Sequence, residues 1–328
     1  MYLIITIDTE GDNPWARKGY ETFTRNALFL PRFQNLCDKF GYKPTYLTSH
    51  EMAKDEFFVE FAGDALKKKT CEIGIHLHPW NSPPDYPLTS DDNRLHPYMI
   101  EYPEHIIREK VKFLTNLLED KFSAKMYSHR AGRWAINSTY VNVLCDLGYK
   151  VDCSVIPFVN LTEAARQGPD RINIDVPDYS AFPSKPYFLS SEDISEAGSL
   201  PILELPMTII PIYGKILFYI YGFLPPGMYR RAFRMVWGPP AKCFRPMRRR
   251  PEELMEVAEI KLKENSDYIM FMLHSSEFMP GGSPQFKTES QIEKLYNNIT
   301  KTFEFLYNQG VTGATCFAFY NIYKGKRS

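Results

Sequence analysis

The sequence predicts an α/β fold built on a parallel sheet or barrel. Two observations carry this expectation. Short β-branched runs alternate with amphipathic stretches along the chain, the order that parallel sheets and barrels require. Four of those runs end in acids, histidines or an arginine, and parallel α/β folds gather their functional groups at the C-terminal ends of strands. With 328 residues, 44% of them hydrophobic, the chain has ample material for a core. One domain over 1–328 is expected, interrupted by a compositionally distinct segment at about 205–251.

The first strand is Tyr2–Ile7, too short and too β-branched for a stable helix, and it delivers Asp8, Glu10 and Asp12 at its end. Alternation puts Asp8 and Glu10 on one face. A helix follows from about Glu21 to Phe40, with Leu28, Leu30, Phe33 and Leu36 near one face and Gly41 as its stop. Lys43–His50 reads as a strand, the next stretch to about Lys69 as a helix, and Cys71–His78 as a third strand ended by Pro79. Asn81–Tyr102, rich in proline and without periodicity, reads as a long loop. Then come a helix over Glu104–Lys121, a short strand over Met126–Arg130, a helix over Ala135–Leu147 closed by Gly148, and a strand over Tyr149–Val155. Pro157–Leu200 is irregular. Beyond it the pattern gives a strand at Pro201–Met207, a helix at Pro251–Asn265, a strand at Tyr268–Leu273 ending on His274, a helix at Gln291–Gln309 and a last strand at Ala314–Phe319.

Lysine plus arginine equals aspartate plus glutamate at 39 each, so the overall balance predicts neither nucleic-acid binding nor an acidic partner. Six cysteines are scattered without a CxxC spacing and read as reduced thiols. The N-terminus has no basic region, and its apolar run meets Asp8 too early for a signal peptide, which makes the cytoplasm the expected compartment. No stretch reaches the ~20 apolar residues of a spanning helix.

A lone histidine is usually structural, and His50, His96, His105 and His129 are read so. His76-Leu-His78-Pro79 differs: two imidazoles one residue apart at a strand end suit a borderline divalent metal, zinc first among the candidates. In a regular strand the two rings would point to opposite faces, so both reach one ion only if the chain changes direction after the strand. Two acids, two histidines, Arg130 and the distant His274 together supply the ligands, base, orienting cation and proton donor of a metal hydrolase.

Thr6-Ile-Asp-Thr-Glu10, Glu72-Ile-Gly-Ile-His-Leu-His-Pro79, His129-Arg-Ala-Gly-Arg-Trp134, Gly148-Tyr-Lys-Val-Asp-Cys-Ser154 and Leu273-His-Ser-Ser-Glu277 resemble, in order, the motif series of the polysaccharide deacetylases with a NodB-homology domain (carbohydrate esterase family four-like). The likeness is greatest to the WalW-like branch found in polysaccharide biosynthesis loci, and it covers about residues 1–155 and 265–320. The resemblance implies a distorted (β/α)7-type barrel and metal-dependent removal of an N-acetyl group from an amino sugar or glycan precursor. Carried over by position, Asp8 is the base, Arg130 its orienting cation, His274 the acid that protonates the departing amine, and His76 a metal ligand. Alternation favours Glu10 as the carboxylate ligand, with Asp12 in reserve, and His78 completes the set Glu10, His76 and His78. The sequence departs from the family where Thr9 replaces a second aspartate, where Trp80 stands at the place of the second metal histidine, and where Ala131-Gly132 replaces a proline after Arg130. Asp152 and Asp178 are the candidates to orient His274. Two alternatives stand beside the deacetylase: an inactive carbohydrate-binding or scaffold protein of the same fold, and an amidohydrolase for a non-sugar amide.

Between Glu204 and Glu252 there is no acid, but two lysines and seven arginines give this span a formal +9 in a chain of net zero. Its first part, Ile209–Leu224, is apolar and aromatic. The plain expectation is a hydrophobic helix with a solvated basic flank. The alternative is a peripheral membrane contact through Ile209–Arg250, on the inner face of the membrane.

Overall fold

A sheet of mainly parallel strands, curled into a half-barrel, organises the protein. The structure, a computed structural model, describes residues 1–15, 23–162, 176–212, 220, 224, 228–237, 241–247 and 250–327. Its strands are β1 (Tyr2–Thr9), β2 (Pro44–Thr48), β3 (Glu72–Leu77), β4 (Ser128–Ala131), β5 (Val151–Asp152), β6 (Tyr187–Phe188), β7 (Leu203–Glu204), β8 (Ile209–Pro211), β9 (Ala241–Cys243), β10 (Tyr268–His274) and β11 (Thr312–Ala314). Among the described residues the sheet runs β10-β1-β2-β3-β4-β5-β7-β6, with β11 also on β1. Only β6 is antiparallel within it, and β8 and β9 form a separate two-stranded ribbon.

Burial follows the pleat of β1. Leu3, Ile5 and Ile7 pack outward with the helix residues Leu30, Phe33, Leu114 and Phe303. Ile4 turns inward to meet Val151, Leu203, Met270 and Met272, and by alternation Thr6 and Asp8 share its face. Each fully buried aliphatic side chain of this kind contributes roughly 1.5–3 kcal/mol, so a one-residue slip of register would exchange the two faces. The register places Asp8 beside His274 of β10 and His76 beside Arg130 of β4.

Among the described residues, β10 at one end of the sheet meets the chain after β7 without a ladder. Tyr268 Oη donates to Pro206 O at 2.5 Å and Met270 N–H to Thr208 Oγ1 at 2.8 Å. Thr208 O in turn accepts from Phe244 N–H at 2.9 Å, tying in the segment that follows β9.

Most expected elements are present within a few residues, and two departures have clear causes. The first helix is a 3₁₀ turn over Arg25–Phe29 followed by an α-helix over Leu30–Lys39 with Pro31 in its first turn. Leu28 is consequently 60% exposed instead of lying on the buried face. The start expected at Glu21 lies outside the described residues. The last strand expected at Ala314–Phe319 is a helix, Cys316–Gly325, capped by Thr315, whose side chain accepts from Ala318 N–H. Its aromatic residues suggest strand by propensity, but Phe319, Tyr320 and Tyr323 bury one helical face against Tyr268 and Ile4. In the distinctive segment the described residues hold the β8–β9 ribbon and a helix, Met228–Trp237; most of the apolar stretch Ile209–Leu224, where a hydrophobic helix is expected, lies outside the described residues. No helix among the described residues is long and apolar enough to cross a membrane.

Candidate active site and metal centre

The C-terminal ends of β1, β3, β4 and β10 bring six side chains to one rim. Asp8 is buried, and its Oδ1 accepts from Arg130 Nη1 at 2.5 Å. Arg130 is wholly buried and also donates through Nε to Cys153 O and through Nη2 to Thr6 Oγ1, each at 2.9 Å. Its guanidinium lies 4.6 Å from the Trp134 ring centre. Burial alone would raise the Asp8 carboxyl, but Arg130, with His76 and His274 behind it, outweighs that and holds it down at about 2. Asp8 is therefore an anion held in one orientation, with Oδ2 turned toward His274 Nε2 at 3.9 Å.

Glu10 sits one pleat further on the same face, as alternation requires. Its backbone is clamped: its N–H donates to Ser275 Oγ, its carbonyl accepts from the same hydroxyl, both at 3.1 Å, and the carbonyl also accepts from Asn26 Nδ2. Its Oε2 lies 3.0 Å from His78 Nε2 and 3.9 Å from His76 Nε2. Glu10, His76 and His78 offer three buried donor atoms within 4.8 Å of one another. His76 follows from strand geometry. His78 lies one residue beyond β3, where the chain turns, so its ring meets that of His76 at 4.8 Å and nearly perpendicular. The change of direction that the spacing required is present.

The chemistry of this donor set suits a divalent ion. Burial pushes both imidazoles down to about 4, so they are neutral and keep a lone pair. His76 donates Nδ1–H to Arg130 O at 3.0 Å, which leaves Nε2 facing Glu10. Burial also raises the Glu10 carboxyl, the shift expected of an acid awaiting a compensating cation. Asp12 is not in the group: it accepts from Arg25 Nε, from Asn26 N–H and from Asn26 Nδ2, and so fixes the loop after β1.

Trp80 stacks on His78 at 4.3 Å, and Arg133 lies 5.1 Å from the other aromatic partner in that stack, the Trp80 ring. Arg133 and Trp134 both adopt positive φ, 54° and 64°, a conformation costly for residues with a Cβ. Gly132 precedes them because a Cβ there would collide with His78 Nδ1 and lie 2.6 Å from Leu77 O. We expect Gly132→Ala to displace His78 and to weaken divalent-metal affinity by about 10–100-fold, measured by titration calorimetry on metal-free protein. Wild-type affinity would show that His78 takes no part.

His274 is oriented by Glu277, and neither Asp152 nor Asp178 reaches it. Glu277 Oε2 accepts from His274 N–H at 2.9 Å and lies 3.1 Å from its Nδ1. Arg245 Nη2 donates to the same oxygen at 3.0 Å. Burial would lower the His274 pKa, but the Glu277 contact outweighs it and raises the value, which suits an imidazolium with Nδ1–H on Glu277 and Nε2–H facing Asp8 and Glu10. Asp152 is spent on wholly buried His129, 2.5 Å from Nδ1, while Tyr140 holds Nε2 at 2.8 Å. Asp178 is occupied by Asn160 and Ser180. Glu277 and Arg245 are the residues that sequence reasoning missed. The signal for Glu277 was its place three residues after His274, the spacing at which an acid returns to the backbone N–H of a helix start. Arg245 had none, since it lies in the basic segment and only the fold brings it here.

These features gather carboxylates, imidazoles and a guanidinium at one rim of the sheet, and comparison with solved structures places the fold. A protein described as a glycoside hydrolase/deacetylase from Parabacteroides distasonis superposes with a TM-score of 0.60 at 10% identity, over 98% of this chain and 70% of that one. The 4-α-glucanotransferase of Thermococcus litoralis gives 0.56 at 11% identity, over 98% of this chain and 40% of that one. A polysaccharide deacetylase structure from Mycobacterium smegmatis gives 0.49 at 14% identity, over 96% and 92%. The two superpositions with TM-scores above 0.5 bear out the fold expected from the motif series. No protein-family model and no curated protein sequence matches the chain.

Proposed function

We propose that the protein is a metal-dependent hydrolase that removes the N-acetyl group of an amino sugar or its glycan precursor. The observation that carries this reading is the arrangement around one rim: a buried Asp8–Arg130 pair and a Glu277-backed His274 flank Glu10, His76 and His78. The last three would hold a divalent ion, zinc being the first candidate, which when bound supplies positive charge to the acetyl carbonyl and lowers the pKa of water. Asp8 takes the water proton at Oδ2, since Arg130 occupies Oδ1. His274 gives its Nε2 proton to the departing nitrogen, because an amide does not readily expel an unprotonated amine. Three of the four tryptophans, Trp15, Trp80 and Trp134, contact His274, His78 and Arg130 respectively, and such rings suit the apolar faces of a sugar.

The test is acetate release, with matching appearance of free amine, from N-acetylated amino sugars by protein reloaded with divalent metals. Absence of acetate across free, oligomeric and nucleotide-linked substrates, with metal bound, overturns the reading. Release from simple acetanilides but not from sugars would instead favour a non-sugar amidohydrolase. Trp80, at the family's second histidine position, favours the inactive carbohydrate-binding reading, which predicts sugar binding without stoichiometric metal. Glu277→Gln keeps the shape of the His274 support but not its charge. We expect kcat to fall on the order of 10²-fold with KM and metal content unchanged. A change in KM alone would remove Glu277 from the proton-transfer step.

A further inference from the structure

We propose that the helix Met228–Trp237, within the basic segment between Glu204 and Glu252, is a docking surface for an anionic lipid bilayer. Among the described residues, the three most exposed large apolar side chains of the protein lie in its helix Met228–Trp237: Met235 at 80%, Met228 at 75% and Val236 at 69%. Tyr229 at 59% and Ile220 at 50% add to them. Scattered single apolar residues are ordinary on a surface, but this concentration within one short stretch is not. The surrounding charge identifies the partner. The segment's nine cations and absence of acids leave the rest of the chain nine charges negative. Lys242, Arg245 and Arg250 each meet an acid, Glu256, Glu277 and Glu253, and the helix sequence itself adds Arg230, Arg231 and Arg234 among the exposed apolar residues, a combination that matches an anionic membrane interface.

The neighbouring structure agrees with that partner. Immediately after Arg245, Pro246 and Arg250 help to enclose a cavity of about 470 Å³, whose other lining residues include Lys287 and Lys294 and no acid. Arg250 also reaches Glu253 at 3.7 Å on the outer side. The cavity thus presents three cations and no acid at the C-terminal end of the segment, a lining that suits an anionic group. At its base the segment is fixed to the barrel rather than loose: β9 pairs with β8, Phe244 N–H donates to Thr208 O, and Arg245 is bound to Glu277. The proposal does not depend on the deacetylase reading, since it concerns residues outside the catalytic group.

Flotation of the full-length protein with vesicles of phosphatidylcholine alone, and of phosphatidylcholine with phosphatidylglycerol, tests it. The expected result is binding to the anionic vesicles that falls at least about tenfold at high salt, with little binding to the neutral ones. A triple variant, Met228→Ser, Met235→Ser and Val236→Ser, should lose vesicle binding about tenfold while hydrolysis of a soluble substrate and the thermal midpoint stay unchanged. Equal binding to both vesicle types, no binding to either, or undiminished binding by the triple variant overturns the proposal. So does a dimer that dissociates in the triple variant without vesicle binding, which would assign the face to a second copy of the chain.

Discussion

Asp8→Asn is expected to lower acetate release by roughly 10²–10⁴-fold, the range for loss of a positioned general base, while bound metal stays stoichiometric. The reason is the division of labour within one carboxylate. Oδ1 is committed to Arg130 at 2.5 Å and Oδ2 faces the site. Asparagine preserves an oxygen for Arg130 but removes the proton acceptor. His76→Ala is the contrasting variant, since its Nε2 faces Glu10 and its Nδ1 is fixed on Arg130 O. It should lose metal and turnover together. The pair of measurements, elemental analysis and acetate release, separates base from ligand. Normal metal content in His76→Ala would refute the ligand assignment, and substantial turnover in Asp8→Asn would refute the base.

Arg130→Met should be among the most destabilising single changes in the chain, costing about 3–5 kcal/mol. It removes the partner of a buried carboxylate and at the same time leaves Thr6 Oγ1 and Cys153 O without the donor that now serves them. With the cation gone, burial, the largest influence on Asp8, is opposed only by His76 and His274, and the carboxyl shifts upward toward its neutral form. Urea denaturation measures the loss as a lower midpoint at unchanged slope. Adding Asp8→Leu to Arg130→Met should recover much of it, because an apolar pair carries no unpaired charge. A double variant no more stable than the single one would locate the cost in lost packing and not in the stranded carboxylate.

How much of this was legible in the sequence depends on the range of the contact. The inward direction of Asp8 and Glu10 follows from strand alternation, and the meeting of β1, β3, β4 and β10 follows from parallel order. His78 needed more than alternation: its approach to Glu10 depends on the turn after Leu77 and on Gly132 leaving room across the gap. The C-terminal strand failed because aromatic residues fit a helix face and a strand equally well until something is packed against them. Arg245 was illegible because its basic neighbourhood reads as solvated surface, whereas its side chain is 14% exposed and bound to Glu277. Glu277, although wholly buried, was missed for a related reason: its spacing from His274 marks a contact at a helix start but says nothing of Arg245, which only the fold brings to it.

The seam between β10 and the chain after β7 makes the barrel a clasp and not a closed ring. A ladder would resist parting along its whole length, but here Tyr268–Pro206 and Met270–Thr208 are point fastenings. Thr208 holds both the clasp and the base of the basic segment, since one of its oxygens serves Met270 and the other Phe244. The next residue in the chain, Arg245, grips the carboxylate that aims His274. A displacement applied to that segment would thus pass over two residues, through backbone and one charged contact, to His274, the proton donor of the proposed reaction.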